Sequence, residues 1–147
     1  MANQKDLEKA LRYSELMKAG KYSEARKIDL SLANLFLANL SDANLSHATL
    51  SYANLTHANL SHADLSHATL FLANLSHADL SNAHLSGADL SHADLSHADL
   101  SHATLSGANL SYATLSHATL SYANLTHANL SGAKISIGNV NRRIESD

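Results

Sequence analysis

The chain of 147 residues contains no cysteine and no proline, and only five glycines, two phenylalanines and five tyrosines. Without cysteine there is neither a disulfide nor a thiolate metal site. Without proline, no corner is set by a locked ring. No glutamate stands between Glu24 and Glu145. No run approaches the roughly 20 apolar residues of a membrane-spanning helix. Met1 to Gly20 is charged and lacks the apolar stretch of a secretory signal. These absences lead us to expect a soluble, cytoplasmic protein of a single domain's length.

What the chain does contain is a repeat. Ala stands at every fifth position from Ala33 to Ala133, and Leu at every fifth from Leu30 to Leu130, with Ile135 closing the series. The unit is Ala-(Asn/Asp/Thr)-Leu-(Ser/Thr)-X, without insertion or deletion. Five residues advance an α-helix about 140° beyond a full turn, so the Leu side chains would wander round the cylinder. Along a straight strand an odd period sends successive Leu side chains to opposite faces. A short extended piece ending in a corner resolves the conflict. Ala and Leu, two apart, share one face, and each corner turns the next pair towards the same axis. The chain then winds into a solenoid with Ala and Leu inside, its coils paired in parallel at about 4.8 Å.

These residues resemble the pentapeptide-repeat family, whose pattern is A-(D/N)-L-X-X around a central Leu or Phe. The resemblance implies an all-β fold, a right-handed quadrilateral parallel β-helix with four repeats per coil. It divides the chain into an N-terminal helical cap (1–29), the solenoid (30–137) and a C-terminal tail (138–147). Slightly more than five coils would stand about 25 Å tall.

Asn3 to Ala19 predicts an amphipathic helix with Asn3 as N-cap, Asp6 in the first turn, Lys18 in the last and Gly20 as a left-handed stop. Leu7, Ala10, Leu11, Ser14 and Met17 form its apolar face, flanked by Tyr13 and Leu16. A short second helix is expected from Ser23 to about Ile28. The segment Ala19–Ala25 locally resembles the turn of a tetratricopeptide repeat, but one truncated unit cannot build a peptide groove. The helices read instead as a cap over the first coil, whose Leu/Ala disc and strand edges would otherwise invite aggregation. Leu32, Phe36 and Leu37 are expected to pack beneath them. At the other end Ile135, Ile137, Val140 and Ile144 are the candidate interface residues. Either the tail folds over the last coil or a second molecule does, as in a two-fold homodimer.

No catalytic or cofactor motif is present. Ser-His pairs such as Ser96-His97 recur because the unit recurs, and a nucleophile also needs an orienting acid, an oxyanion site and a pocket. Ten of the eleven His fill the fifth position of a repeat, His84 being the exception. At twenty residues per coil, His57, His77, His97 and His117 form one column. It is either a metal-binding or pH-sensing ladder or a set of solvated, stacked imidazoles, and the second reading needs no converging ligand set. Ser41, Ser61, Ser81, Ser101 and Ser121 form a second ladder, read as hydroxyls bonded to turn backbone rather than as an ice-binding face, which typically uses Thr pairs.

Family members of the quinolone-resistance (Qnr) type imitate DNA and bind gyrase, so the resemblance supplies a candidate partner. Between Asn34 and Lys134 the charged groups are six Asp and Lys134, a net charge of −5. Duplex DNA of similar length carries about 15 negative charges, at one per ~1.7 Å. Nor is there a basic stripe for nucleic acid itself. The reading is a non-enzymatic structural or protein-interaction solenoid of unknown partner, the alternatives being a gyrase-binding DNA mimic or a repeat-expanded or consensus-built scaffold with no evolved ligand.

Overall fold

The computed structural model describes residues 1–137 and 140–143. From Leu30 onward each pentapeptide turns one corner. The Leu carbonyl accepts from the Ala N–H three residues on, as Leu50 does from Ala53 at 3.1 Å, with the fifth-position residue between them at positive φ. This is the arrangement of a type II turn, whose third residue is left-handed. Four such corners bring the chain back above itself. Asn34 pairs with Asn54 and Asn54 with Asn74, and every bridge that follows, to Asn109 with Asn129, keeps the parallel offset of twenty residues.

Successive coils are tied by three backbone hydrogen bonds per repeat. In one repeat Leu55 N–H donates to the Asn74 carbonyl (2.7 Å), His57 N–H to Ser76 (3.0 Å), and Asn74 N–H back to Ala53 (2.9 Å). The expectation of an all-β chain holds only in part: helix stands at the N-terminus, and the repeats themselves are not clearly β. The sides between corners are so short that pairing occurs as isolated bridges. Among the described residues the continuous strands are β1 (Thr114–Leu115), β2 (Lys134–Ile137) and β3 (Val140–Arg143). Inside, Leu35 through Leu115 are at most 1% exposed, and the Ala of each repeat closes the gap between them. Between the corners the core is a column of Leu and Ala, closed at the N-terminal end by Tyr13, Leu16 and Met17.

The N-terminal cap forms as α1 (Gln4–Lys18) and α2 (Tyr22–Ala25), the second shorter than expected. The Asn3 side chain caps α1 by accepting from Lys5 N–H. Gly20, at φ 72°, ends it, with Gly20 N–H bonded to Met17 and Lys21 N–H to Leu16. That pair of bonds is the Schellman stop. The buried face is Ala10, Tyr13, Ser14, Leu16 and Met17. Leu11, expected on it, is 43% exposed, because the helix is rotated to put Tyr13 and Ser14 over the coil.

That rotation has a reason in hydrogen bonding. The first coil has no coil before it, so its inner N–H and carbonyl groups lack partners. Asp6 accepts from Asn34 N–H (2.9 Å) and Ser14 Oγ from Asn44 N–H (2.8 Å), while Tyr13 donates its phenol to the Ser46 carbonyl (2.8 Å) and Asn3 N–H donates to Asn34 (2.8 Å). Leu32 and Leu37 do not lie beneath the helix. They occupy left-handed corners, whose side chains point outward, and are 76% and 57% exposed. Phe36 is half-buried, its ring nearly perpendicular to that of His57, with centroids 6.1 Å apart.

At the C-terminal end β2 pairs in parallel with β1 and antiparallel with β3, Ile135 opposite Arg142 and Ile137 opposite Val140. The tail thus folds back on one side of the last coil. Ile135 is half-buried against the core, and Ile144 lies outside the described residues. Leu120, Leu125 and Leu130 remain only half-buried, so the final Leu disc is partly open.

Truncating a buried Leu to Ala typically costs about 2–5 kcal/mol. Leu85→Ala, in mid-core, is expected to lower stability by at least ~2 kcal/mol more than His97→Ala on the surface; equal urea midpoints for the two would overturn this inside-outside assignment. Burial pushes the Tyr13 phenol above its usual value, against the pull of Arg26. The folded state therefore favours the neutral phenol. Its contribution is complete below about pH 10 and is lost as pH rises through the folded value. Thermal unfolding between pH 8 and 11 is expected to show an alkaline loss of stability that is smaller in Tyr13→Phe.

Candidate functional site

The fifth position of each repeat carries the side chains that a partner would meet first. All twenty-one such residues from Leu32 to Gly132 have positive φ, 54–61° for the eighteen that are not glycine. Such a conformation costs a typical residue about 1–2 kcal/mol. His, Asn and Asp tolerate it best after Gly, and β-branched residues least. The sequence obeys that order: no Val, Ile or Thr occupies any of these corners. Ile137, next in the series, stands in β2, where the chain runs on extended. The abundance of His thus has a conformational cause before it has a functional one. This constraint was missed at the level of sequence, although Gly87, Gly107, Gly132, Asn82 and Asp42 at the same position were its signal.

The corners stack into columns. His57, His77, His97 and His117 lie face to face, with ring centroids 4.7, 4.7 and 4.8 Å apart and planes within 16°. His47 stacks on His67 at 5.1 Å, His92 on Tyr112 and His102 on Tyr122 at 5.0 Å. Where glycine interrupts a column, the ring below lies across bare backbone. A Cβ at Gly87 would come within 2.6 Å of His67 Nδ1, and one at Gly132 within 2.6 Å of Tyr112. Parallel imidazoles hold their nitrogen lone pairs in planes perpendicular to the stack. Stacked neighbours therefore cannot aim at one ion between them, and no group of three or more metal-ligating side chains converges among the described residues.

At most corners the second position is engaged with the fourth. Asn or Asp at the second position accepts from the backbone N–H two residues on, as Asn59 does from Ser61 (3.0 Å) and Asp64 from Ser66 (2.9 Å). In several of these corners the Ser hydroxyl donates to that same side-chain oxygen, at 2.7 Å in Ser61 and 2.6 Å in Ser66. In the expected ladder, Ser61 and Ser101 thus bond the Asn59 and Asp99 side chains rather than the turn backbone expected from the sequence. Neighbouring coils add amide ladders, Asn129 to Asn109 and Asn109 to Asp89, both at 3.1 Å. A hydroxyl committed to its own turn is not poised as a nucleophile towards His.

One cleft of about 300 Å³ lies between the start of α1 and the first coil, lined by Met1, Gln4, Leu7, Leu37 and Asn39 among others. None of its lining side chains is an acid or a base. Among the described residues no helix is long and apolar enough to cross a membrane.

The comparisons with known proteins agree with this geometry. The profile for pentapeptide repeats matches eight copies, over residues 22–51, 38–74, 70–107 and 98–136. The pentapeptide repeat protein Rfr23 from the cyanobacterium Cyanothece 51142 is 30% identical, with 77% of this chain and 94% of that one covered and a TM-score of 0.60. A pentapeptide repeat protein of the Arabidopsis thaliana thylakoid lumen is also 30% identical, over 69% of each chain, with a TM-score of 0.40. HetL of Nostoc, a pentapeptide repeat protein involved in heterocyst differentiation regulation, is 36% identical over 78% of this chain and 65% of its own, with a TM-score of 0.25. Among curated proteins none matches the chain significantly. With the repeat matched over most of its length, the chain belongs to the pentapeptide repeat family.

Proposed function

We propose that the protein is a non-enzymatic, protein-binding scaffold, a right-handed four-sided β-helix that presents columns of side chains on a rigid rod. The observation that carries this reading is the fate of the corner polar groups. Asn and Asp side chains are bonded to the backbone of their own turns, several Ser hydroxyls donate to the same oxygens, and most corner His are stacked on a His or Tyr of the next coil. The walls are regular ladders, suited to contact with another surface and lacking the convergent polar groups of a catalytic pocket.

A DNA-mimicking, gyrase-binding role is the competing reading within this family. The net charge of −5 between Asn34 and Lys134 speaks against it, being about a third of that on a duplex of similar length. In a gyrase supercoiling assay, added protein is expected to leave the rate unchanged up to micromolar concentration; inhibition or protection there would favour the mimic.

The His column is tested separately, in a variant with His57, His77, His97 and His117 all changed to Asn. Asn tolerates the left-handed corner, so the variant is expected to keep the parental circular dichroism spectrum. A metal bound only by the folded state raises stability by about 2.7 kcal/mol at a hundred times its Kd. Zinc is expected to leave the melting temperatures of parent and variant equally unaffected. A zinc-dependent rise confined to the parent would make the column a metal site.

A further inference from the structure

The hydrogen bonds between coils have a direction. Towards the C-terminal side, each repeat offers two donors, the Leu and fifth-position N–H groups, and one acceptor, the Ala carbonyl. Towards the N-terminal side it offers the reverse: the carbonyls of the second- and fourth-position residues and one N–H. Within the rod every face meets its complement. At the ends the polarity is exposed.

In the last coil the N–H groups of Leu125, His127, Leu130 and Gly132, and the carbonyls of Ala123 and Ala128, have no hydrogen-bond partner among the described residues. They surround the half-buried Leu120, Leu125 and Leu130. The hairpin of β2 and β3 stands on one side only, above β1. In the first coil the carbonyls of Phe36, Asn39, Ser41 and Asn44 are likewise without a hydrogen-bond partner among the described residues, beside the groups that α1 satisfies.

Two C-terminal ends brought together by a two-fold axis would set donors against donors. Each end brings twice as many N–H groups as carbonyls, so half the donors in that contact would stay unpaired and buried. A C-terminal end against a first coil pairs all three groups of every repeat in contact, and lays Leu/Ala disc on Leu/Ala disc. We propose that the C-terminal coil is a docking surface for the first coil of a second copy of this chain, and that α1 is the removable plug that controls it. The plug is held to the first coil by four hydrogen bonds, through Asn3, Asp6, Tyr13 and Ser14. A docked coil would make three bonds per repeat on each side not covered by the hairpin, and β3 must lift from β2 for the fourth side to seat. Because this contact is head to tail, it does not close, and copies would add end on end. The proposal extends the scaffold reading to one partner; its failure would leave that reading, which the gyrase assay tests, untouched.

The test uses full-length protein in sedimentation velocity. The parent, with its plug seated, is expected to be monomeric at low micromolar concentration. Tyr13→Phe with Ser14→Ala loosens the plug and should strengthen self-association by about tenfold or more, giving a concentration-dependent series that extends beyond the dimer. Adding Leu125→Lys, which sets a charge on the docking disc, should return that variant to monomer. An equimolar mixture of the parent with this triple variant has one usable end on each partner, and should form a one-to-one pair. If the double variant loses its cooperative melt, Asp6→Ala serves instead, since it removes only the acceptor of Asn34 N–H. The idea is overturned if the loosened protein stays monomeric, or if parent and loosened variant form the same closed dimer, abolished by Leu125→Lys, which would be the two-fold contact.

Discussion

Everything in this molecule depends on the left-handed corner at the fifth residue of each repeat. Without it the Leu and Ala of successive repeats could not face one axis, and the twenty-residue offset between bridged residues could not be kept. The conformation is unfavourable for any residue with a side chain, by about 1–2 kcal/mol each. It persists because the same corner makes one turn hydrogen bond, an Asn or Asp side-chain bond to the fourth-position N–H in most repeats, and a bond from the fifth-position N–H to the coil above. Each contributes about 1 kcal/mol net, and the corner also directs a Leu into a core where it is almost wholly buried.

Seen this way, the composition is a set of answers to one conformational problem. Leu and Ala fill the only volume available inside. Asn and Asp hold the corner, and Ser adds a hydroxyl to the same oxygen. His and Tyr occupy a backbone conformation that β-branched residues avoid, and their flat rings fit the spacing of the coils, with centroids 4.7–5.1 Å apart. The side chains that look most like chemistry are thus largely accounted for by the fold.

Much of the architecture was legible in the sequence because a five-residue period is incompatible with both regular elements, leaving a coil as the remaining solution. The facing of Leu85 inward and His97 outward followed from the same arithmetic. What could not be read was the consequence of two ends. The periodic face of α1 placed Ala10, Ser14 and Met17 correctly, but it also pointed to Leu11, which is exposed, and left on the flank the Tyr13 that reaches Ser46. Periodicity records apolar area. It does not record which backbone groups of the first coil lack a coil to bond to. The Ser hydroxyls departed from expectation for a related reason: where they bond, the acceptor is a side-chain oxygen two residues back, which the repeat pattern does not rank against the turn backbone.

The two ends also explain why this fold needs caps of different kinds. A solenoid built on parallel pairing is polar along its axis, with carbonyls in excess at the start and N–H groups in excess at the finish. A helix suits the start because its side chains can donate, as Tyr13 does, or accept, as Asp6 and Ser14 do. At the finish a fold-back strand supplies both carbonyls and N–H groups, but only along the side it covers, and Ile135 and Ile137 favour that extended path over a further corner. The remaining sides keep their donors and a partly open floor of Leu. A rod whose middle is indifferent to length therefore concentrates its capacity for specific contact at its terminal coils, where the polarity of the backbone, more than any side chain, sets which surface can fit.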